Sequence, residues 1–376
     1  MVVAPRRGHP AGPVPPEVEA AISSNSPEGA PPPRGAPPPE GGGPDRIVAF
    51  AARALGSTLR LTVRLPGPAS ASALAAAETA WAEVRIEFDA VDRALSRFRD
   101  DSELTRLNRI AGTGAVVRVS SRLRRALAAV DRASRVTDGR FDASVLAALE
   151  RIGEQGADLA TGGTAAQGAQ GATLAGVGAH LADPPGRLVH VPAATLDMGG
   201  IGKGLALRWA RDRALPTLPA AAGLLLEAGG DLVAGGQPPA GGWLVGVEDP
   251  AAADPAAADP LVVVVVETGA VATSSVRVRN WVGPDGTAVH HLVDPSTGDP
   301  ARTGLIAVTV AAPDPAWAEV WSKALFLAGR DGIADEARSR GVAAWWVDDR
   351  GRLGMTPEAR VRTSWATERR LGEGSG

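Results

Sequence analysis

Between residues 81 and 95 the apolar positions Trp81, Val84, Phe88, Val91 and Leu95 recur at steps of three and four. That spacing marks one face of an amphipathic helix and predicts a stripe buried against a core. Ahead of it, "IVAFAARALGSTLRLTVRLP" predicts two strands. A second helix is expected from Ser120 to Val136, with Leu123, Leu127 and Val130 inward and Ser120 or Ser121 as its cap.

The second half of the chain is richer in strands. "RLVHVPAATLDM" reads as extended, "GLALRWARDRAL" as a helix that Pro216 ends, and "GLLLEAGGDLVAGG" as a strand entering a Gly-Gly-Asp turn. "WLVGVEDP" and "PLVVVVVETGAVATS" are each expected to be one strand, separated by the duplicated spacer "AAADPAAADP". "GLIAVTVAAP" is another strand, "WAEVWSKALFLAG" and "GIADEARSRG" are helices, and "VAAWWVDD" with "GRLGM" suggests a terminal hairpin. Strands come in runs without strict alternation with helices, which points to an α+β fold over a doubly wound sheet.

Two segments carry no such pattern. Residues 1–46 are rich in Pro, Gly and Glu, too poor in apolar groups to offset the entropy of ordering, and predict a disordered tail. Residues 153–187, rich in Gly and Ala, predict a loosely ordered excursion. The folded domain is therefore expected over residues 47–370.

Charge and composition narrow the chemistry. The 376 residues carry a net charge of -3 and no long Lys/Arg run, which argues against nucleic acid as the main partner. With no cysteine there is no disulfide framework and no thiolate metal site. "LVVVVV" is too short to span a bilayer, and no apolar stretch follows the early arginines, so a cytoplasmic location without membrane embedding is expected.

The stretch "LDMGGIGKG", residues 196–204, draws attention as a phosphate loop, but it fits neither familiar nucleotide pattern. Gly204 follows Lys203 where a P-loop needs Ser or Thr, and Asp197 stands where its first glycine belongs. A strand-to-helix turn of this kind exposes backbone N–H groups and a positive helix end, with Lys203 as an added point charge. A tight turn with glycines for close packing explains it equally well.

Other candidates stand alone less firmly. In "HHLVDPSTGDP" the two histidines point to opposite faces of a strand and would not share one ion, but either could serve as a general base. "ATSSVRVRNW" places Ser274, Arg279 and Asn280 at a strand end. Asp142 in "DGRFDASV" is an N-cap or a ligand group. Glu319 could hold Mg²⁺, although Lys323 four residues on makes a surface ion pair an ordinary alternative.

The order of these blocks is more telling than any one of them. "LSRFRDDSELTRLN", "TDGRFDASV", "LDMGGIGKG", "EAGGDLVAGG", "ATSSVRVRNW", "HHLVDPSTGDP" and "AEVWSKALFLAG" together resemble the FAD:protein FMN transferase, or ApbE-like, family over residues 47–365. The resemblance implies a single T-fold-like α+β domain with FAD in a cleft between two halves. It implies transfer of FMN from FAD to a Thr or Ser hydroxyl of an acceptor redox protein with release of AMP, assisted by Mg²⁺. His291 would be the base and Phe98 the aromatic against the flavin. Arg140, Phe141 and Asp142 would lie beside FAD, and Asp197 and Lys203 would contact it, with Arg279 a further candidate. Gly200, through its carbonyl, and Glu319 would reach the metal.

One block departs from the family pattern. Where the family usually has Asp and Thr four residues apart as metal ligands, this chain has Glu319 and Lys323, and an ammonium cannot ligate. The expectation is that Lys323 neutralises the diphosphate and leaves Mg²⁺ weakly bound or dispensable. Two rival functions also arise from these residues: an FAD pyrophosphatase giving FMN and AMP, and an FAD-binding protein without turnover.

Overall fold

The computed structural model describes residues 44–154, 188–254 and 258–367. The expectations for a disordered tail and for most of the 153–187 excursion lie outside these residues. In chain order the elements are β1 (Arg46–Ala54), β2 (Ser57–Leu65), α1 (Ala71–Leu95), α2 (Glu103–Asn108), β3 (Val116–Arg118), α3 (Ser121–Val136), α4 (Leu146–Arg151) and β4 (Leu188–His190). There follow α5 (Gly202–Ala214), β5 (Gly223–Ala228), β6 (Asp231–Gly236), β7 (Trp243–Val247), β8 (Val262–Val266), β9 (Gly269–Ser275), β10 (Asn280–Val282) and β11 (Ala288–His290). The last are β12 (Leu305–Ala312), α6 (Pro315–Ser339), β13 (Ala343–Asp348), β14 (Leu353–Met355), α7 (Pro357–Arg360) and β15 (Thr363–Ala366).

Eight strands form an antiparallel sheet in the order β1-β2-β5-β6-β9-β12-β13-β14. One face packs on helices and the other on a small sheet, β15-β8-β7. The period-2 alternation of strands sorts the side chains between two cores. Leu224, Leu226, Val233, Ala272 and Val308 join the helix side, with Val84 and Phe88 of α1, Leu205 of α5 and Phe326 of α6. Leu225, Leu232, Val271 and Trp345 point the other way, to Val262 and Val264 of the small sheet. Burial on both faces is why these strands read as unbroken apolar runs.

Two expectations change and a third holds. "PLVVVVVETGAVATS" is two strands: Gly269 turns with φ 94°, and β8 and β9 enter different sheets. Both halves are apolar because each faces a core, so hydropathy alone could not separate them. The β13–β14 hairpin is not terminal, since β15 comes after it and pairs with β8. The two helices expected at 317–329 and 332–341 are both present within α6, separated at Gly329 by a backbone turn of φ 76°, ψ 169°.

A third, smaller apolar cluster shapes the cleft. Ala148, Leu149 and Ile152 pack on Val293, with Trp281 against them, and the Trp281 indole donates to the Ile152 carbonyl at 2.7 Å. The α4 segment is thereby tied to the β10–β11 hairpin, forming one bank of a cleft whose other bank is α6.

Candidate active site

A cleft, partly open to solvent, is lined by Arg140, Phe141, Asp142, Glu154, Asp197, Gly199, Gly200, Arg279, His291 and Lys323, with Val145, Leu149, Val293 and Leu327 as apolar wall. The structure thus brings together seven of the ten expected site residues, from four separate stretches of chain, with Lys323 besides.

The glycine loop is fixed from both sides. The Asn108 side-chain amide, at the end of α2, exchanges two 2.9 Å hydrogen bonds with the backbone of Leu196. The Asp197 N–H donates to the Ala143 carbonyl at 2.7 Å. The Asp197 carboxylate accepts the Gly199 N–H at 3.1 Å and forms an ion pair with the Arg97 guanidinium at 3.2 Å. Gly200 faces Phe141 so closely that a Cβ would lie 2.8 Å from its ring, and 3.3 Å from Cδ of Lys323.

His291 stands at the cleft wall, and its Nδ1 lies 3.3 Å from the Arg279 carbonyl. A carbonyl only accepts, so Nδ1 carries the proton and Nε2 the lone pair. Burial, then the charges of Lys323 and Arg279, push the imidazole down to about 3, so it is neutral at physiological pH. His290 turns elsewhere, with Nε2 3.1 Å from the Ala301 carbonyl and its ring edge-on to Phe326.

Asp142 acts as a cap, accepting the Ser144 N–H and hydroxyl at 2.8 Å while it lines the cleft; burial raises its pKa. Arg279 pairs with Glu154, which also takes Arg97 at 2.9 Å. Burial and the neighbouring Arg97 charge push Arg279 down to about 10. Arg140 reaches Glu336 at 3.6 Å.

Three expected residues do not line the cleft. Phe98 is 44% exposed, under the Arg97 guanidinium at 4.2 Å, and so stands outside the wall. Lys203 turns to Asp231 and to Glu319, 3.5 Å away, instead of facing the cleft. Burial alone would lower its pKa, but these two carboxylates outweigh it and hold it above the usual lysine value. Glu319 is no surface residue: it is 1% exposed, with Oε1 3.5 Å from both lysines and Oε2 accepting the Gly204 N–H at 2.8 Å. The N-terminal end of α5 is therefore answered by a carboxylate of the chain itself.

This arrangement does not fit Mg²⁺. The ion needs a near-octahedral set of oxygens, whereas Glu319 is committed to two ammonium groups and an amide. Among the described residues no group of three or more His, Asp or Glu could hold a metal.

Arg97, Glu154, Asp231 and Asn108 are site residues that the sequence alone did not single out. Arg97 and Asn108 lie within "LSRFRDDSELTRLN", and Asp231 within "EAGGDLVAGG", but their partners are remote in sequence and no spacing reveals them.

A family model described as the ApbE family matches residues 55–346. An FAD:protein FMN transferase of Klebsiella pneumoniae (strain 342) is 28% identical over 299 residues, covering 76% of this chain and 83% of the relative. One of Salmonella typhimurium is 27% identical over 281 residues, 72% of this chain and 77% of the relative. The crystal structure of the ApbE protein of Thermotoga maritima superposes with a TM-score of 0.70 at 27% identity, over 85% of this chain and all of the other. The apo flavinyl transferase ApbE of Pseudomonas stutzeri gives 0.67 at 25% identity, over 86% and 98%. With the family pattern running through both the sheet and the cleft, the chain belongs to the ApbE family.

Proposed function

We infer that this protein transfers the FMN half of FAD to a Ser or Thr hydroxyl of an acceptor protein and releases AMP. The observation that carries the reading is a buried, neutral histidine with a fixed tautomer, His291, on one cleft wall with the cationic side chains Arg279 and Lys323. The relatives named as FAD:protein FMN transferases support it.

The step balances simply. The acceptor oxygen attacks the FMN-side phosphorus, a P–O ester forms, and the P–O bond to the AMP oxygen breaks. His291 Nε2 takes the hydroxyl proton, and AMP leaves with the bridging oxygen. Phosphoryl chemistry of this kind asks of the protein mainly alignment and neutralisation of charge. Lys323 and Arg279 supply the positive charge, while Val145, Leu149, Val293 and Leu327 offer an apolar wall to a ring system. Arg140, Phe141, Asp142 and Asp197 line the same space, and Phe98 does not.

The resemblance implies Mg²⁺ as a Lewis acid on the diphosphate, which Gly200 and Glu319 would hold. The Glu319 environment, two ammonium groups and an amide N–H, does not fit that ion. Among the described residues no helix is long and apolar enough to cross a membrane.

The test is the intact mass of a flavin-acceptor domain after incubation with this protein and FAD. A gain equal to FMN less water is expected. FAD cleaved to FMN and AMP with no mass gain would overturn transfer in favour of hydrolysis, and FAD left whole would overturn catalysis.

A further inference from the structure

Four charged side chains meet beside the cleft: Lys203, Lys323, Asp231 and Glu319. Two ammonium groups against two carboxylates sum to zero. Lys203 is spent on Asp231, its closest contact, and on Glu319. Lys323 touches Glu319 at 3.5 Å, the limit of a hydrogen bond, and is the member of the four that lines the cleft. A divalent cation bound here would leave two surplus positive charges beside two ammonium groups, at a buried carboxylate, which is costly. A diphosphate brings the opposite charge.

The glycine loop is shaped for this lysine. The position of a Cβ on Gly200 lies 3.3 and 3.4 Å from Cδ and Cε of Lys323, so the bare backbone leaves the stem room to run along the loop into the cleft. Glu319, clamped by the Gly204 N–H and by Lys203, is a fixed anchor that the Lys323 ammonium can lean on.

We propose that Lys323 is a built-in counter-cation for the diphosphate of the substrate, standing where the family pattern calls for a metal ligand, so that this enzyme binds and uses FAD without a divalent metal. The proposal rests on the reading of FAD as substrate. On this proposal the Lys323 ammonium is shared between Glu319 and the substrate and meets the diphosphate beside Arg279, while Lys203 stays against Asp231 and Glu319.

The experiment measures FAD affinity by flavin fluorescence in EDTA and in Mg²⁺, for the native protein and for Lys323→Met. Free Mn²⁺ is followed by electron paramagnetic resonance in parallel, without flavin. The native protein is expected to bind FAD equally in both lanes and to leave the Mn²⁺ signal undiminished. Lys323→Met should weaken FAD binding in EDTA by about 10- to 100-fold, the value of a charge-assisted contact to a phosphate. Its thermal unfolding, and a Lys323→Arg variant that restores the charge, separate this loss from misfolding. Native FAD binding that requires Mg²⁺, stoichiometric Mn²⁺ uptake, or undiminished FAD affinity in Lys323→Met would each overturn the proposal while leaving the flavin reading standing. FAD bound in neither lane would overturn the flavin reading, and this proposal with it.

Discussion

Glu319 Oε2 accepts the backbone N–H of Gly204 at 2.8 Å, joining α6 to the first turn of α5 across 115 positions of sequence. The bond is possible because Gly204 has no side chain: a Cβ there would lie 2.5 Å from the Ala316 Cα and 2.6 Å from the Pro315 carbonyl oxygen. Both obstacles are backbone and cannot rotate away. Gly204→Ala should therefore pry the two helices apart and destabilise the fold by about 1–3 kcal/mol or more. Gly202→Ala, two positions earlier in the same helix, meets nothing nearer than the Met198 Cβ at 3.7 Å. It should be neutral or stabilising by up to about 1 kcal/mol through helix propensity. Urea unfolding of the pair gives the answer, and equal losses would refute the packing argument.

His291 is expected to act on the chemical step and little on binding. His291→Gln keeps a polar side chain but has no basic nitrogen at neutral pH. Transfer should fall by about 10²–10⁴, the usual contribution of a general base, with FAD affinity changed by less than about threefold. A single-turnover rate beside an equilibrium titration separates the two. A parallel loss of affinity would mean that the histidine binds the substrate and does not deprotonate the acceptor.

The low pKa of His291 has two readouts. kcat/KM reports groups in the free enzyme, so with the imidazole neutral down to about 3 the profile should lack an acid limb near the ordinary value of about 6.5. The nearby Lys323 charge helps to lower it, so Lys323→Met should bring a limb upward, toward neutrality. For stability the sign runs the same way. The unfolded state takes up the proton below about 6.5 while the folded state resists it, so the histidine's contribution is complete above that pH and is lost as pH falls toward 3. Subtracting the stability curve of His291→Gln from that of the native protein should leave a difference confined to that window.

Much of this was legible in the sequence because it depends on local pattern. The α1 stripe, the Ser120 cap of α3 and the break at Gly329 follow from spacing and from glycine. The cleft-lining members Arg140, Phe141, Asp142, Asp197, Gly200, Arg279 and His291 all stand in the short blocks that carry the family resemblance. What stayed hidden was pairing at a distance. Lys203 lies beside glycines and invites a phosphate, but its carboxylate partners arrive from β6 and α6. The same holds for Glu319, where an i,i+4 lysine suggested a solvent-exposed pair and a buried anchor was found. Hydropathy could not reveal the break between β8 and β9, because each segment is buried against a core of its own.

Glu154 carries the last prediction. Its side chain is 5% exposed and forms ion pairs with Arg97, at 2.9 Å, and with Arg279. Arg97 in turn holds Asp197, so the carboxylate sits at the centre of a chain of charges that reaches the glycine loop. Removing it would leave the Arg97 guanidinium, 8% in solvent, beside the Arg279 charge without the carboxylate between them. Glu154→Ala should therefore cost about 3–5 kcal/mol, the range for breaking a buried pair on one side. Arg93 and Asp89 form an ion pair too, but on the exposed face of α1, with 55% and 57% of their side chains in solvent. Arg93→Ala should change stability by less than about 0.5 kcal/mol. Denaturant melts of both variants at low and at high salt provide the check: the surface pair should fade with salt, and the Glu154 effect should persist. If Glu154→Ala proved as mild as Arg93→Ala, the arginines would have found water or other partners, and the link from Glu154 to the Asp197 loop would not be holding the cleft in shape.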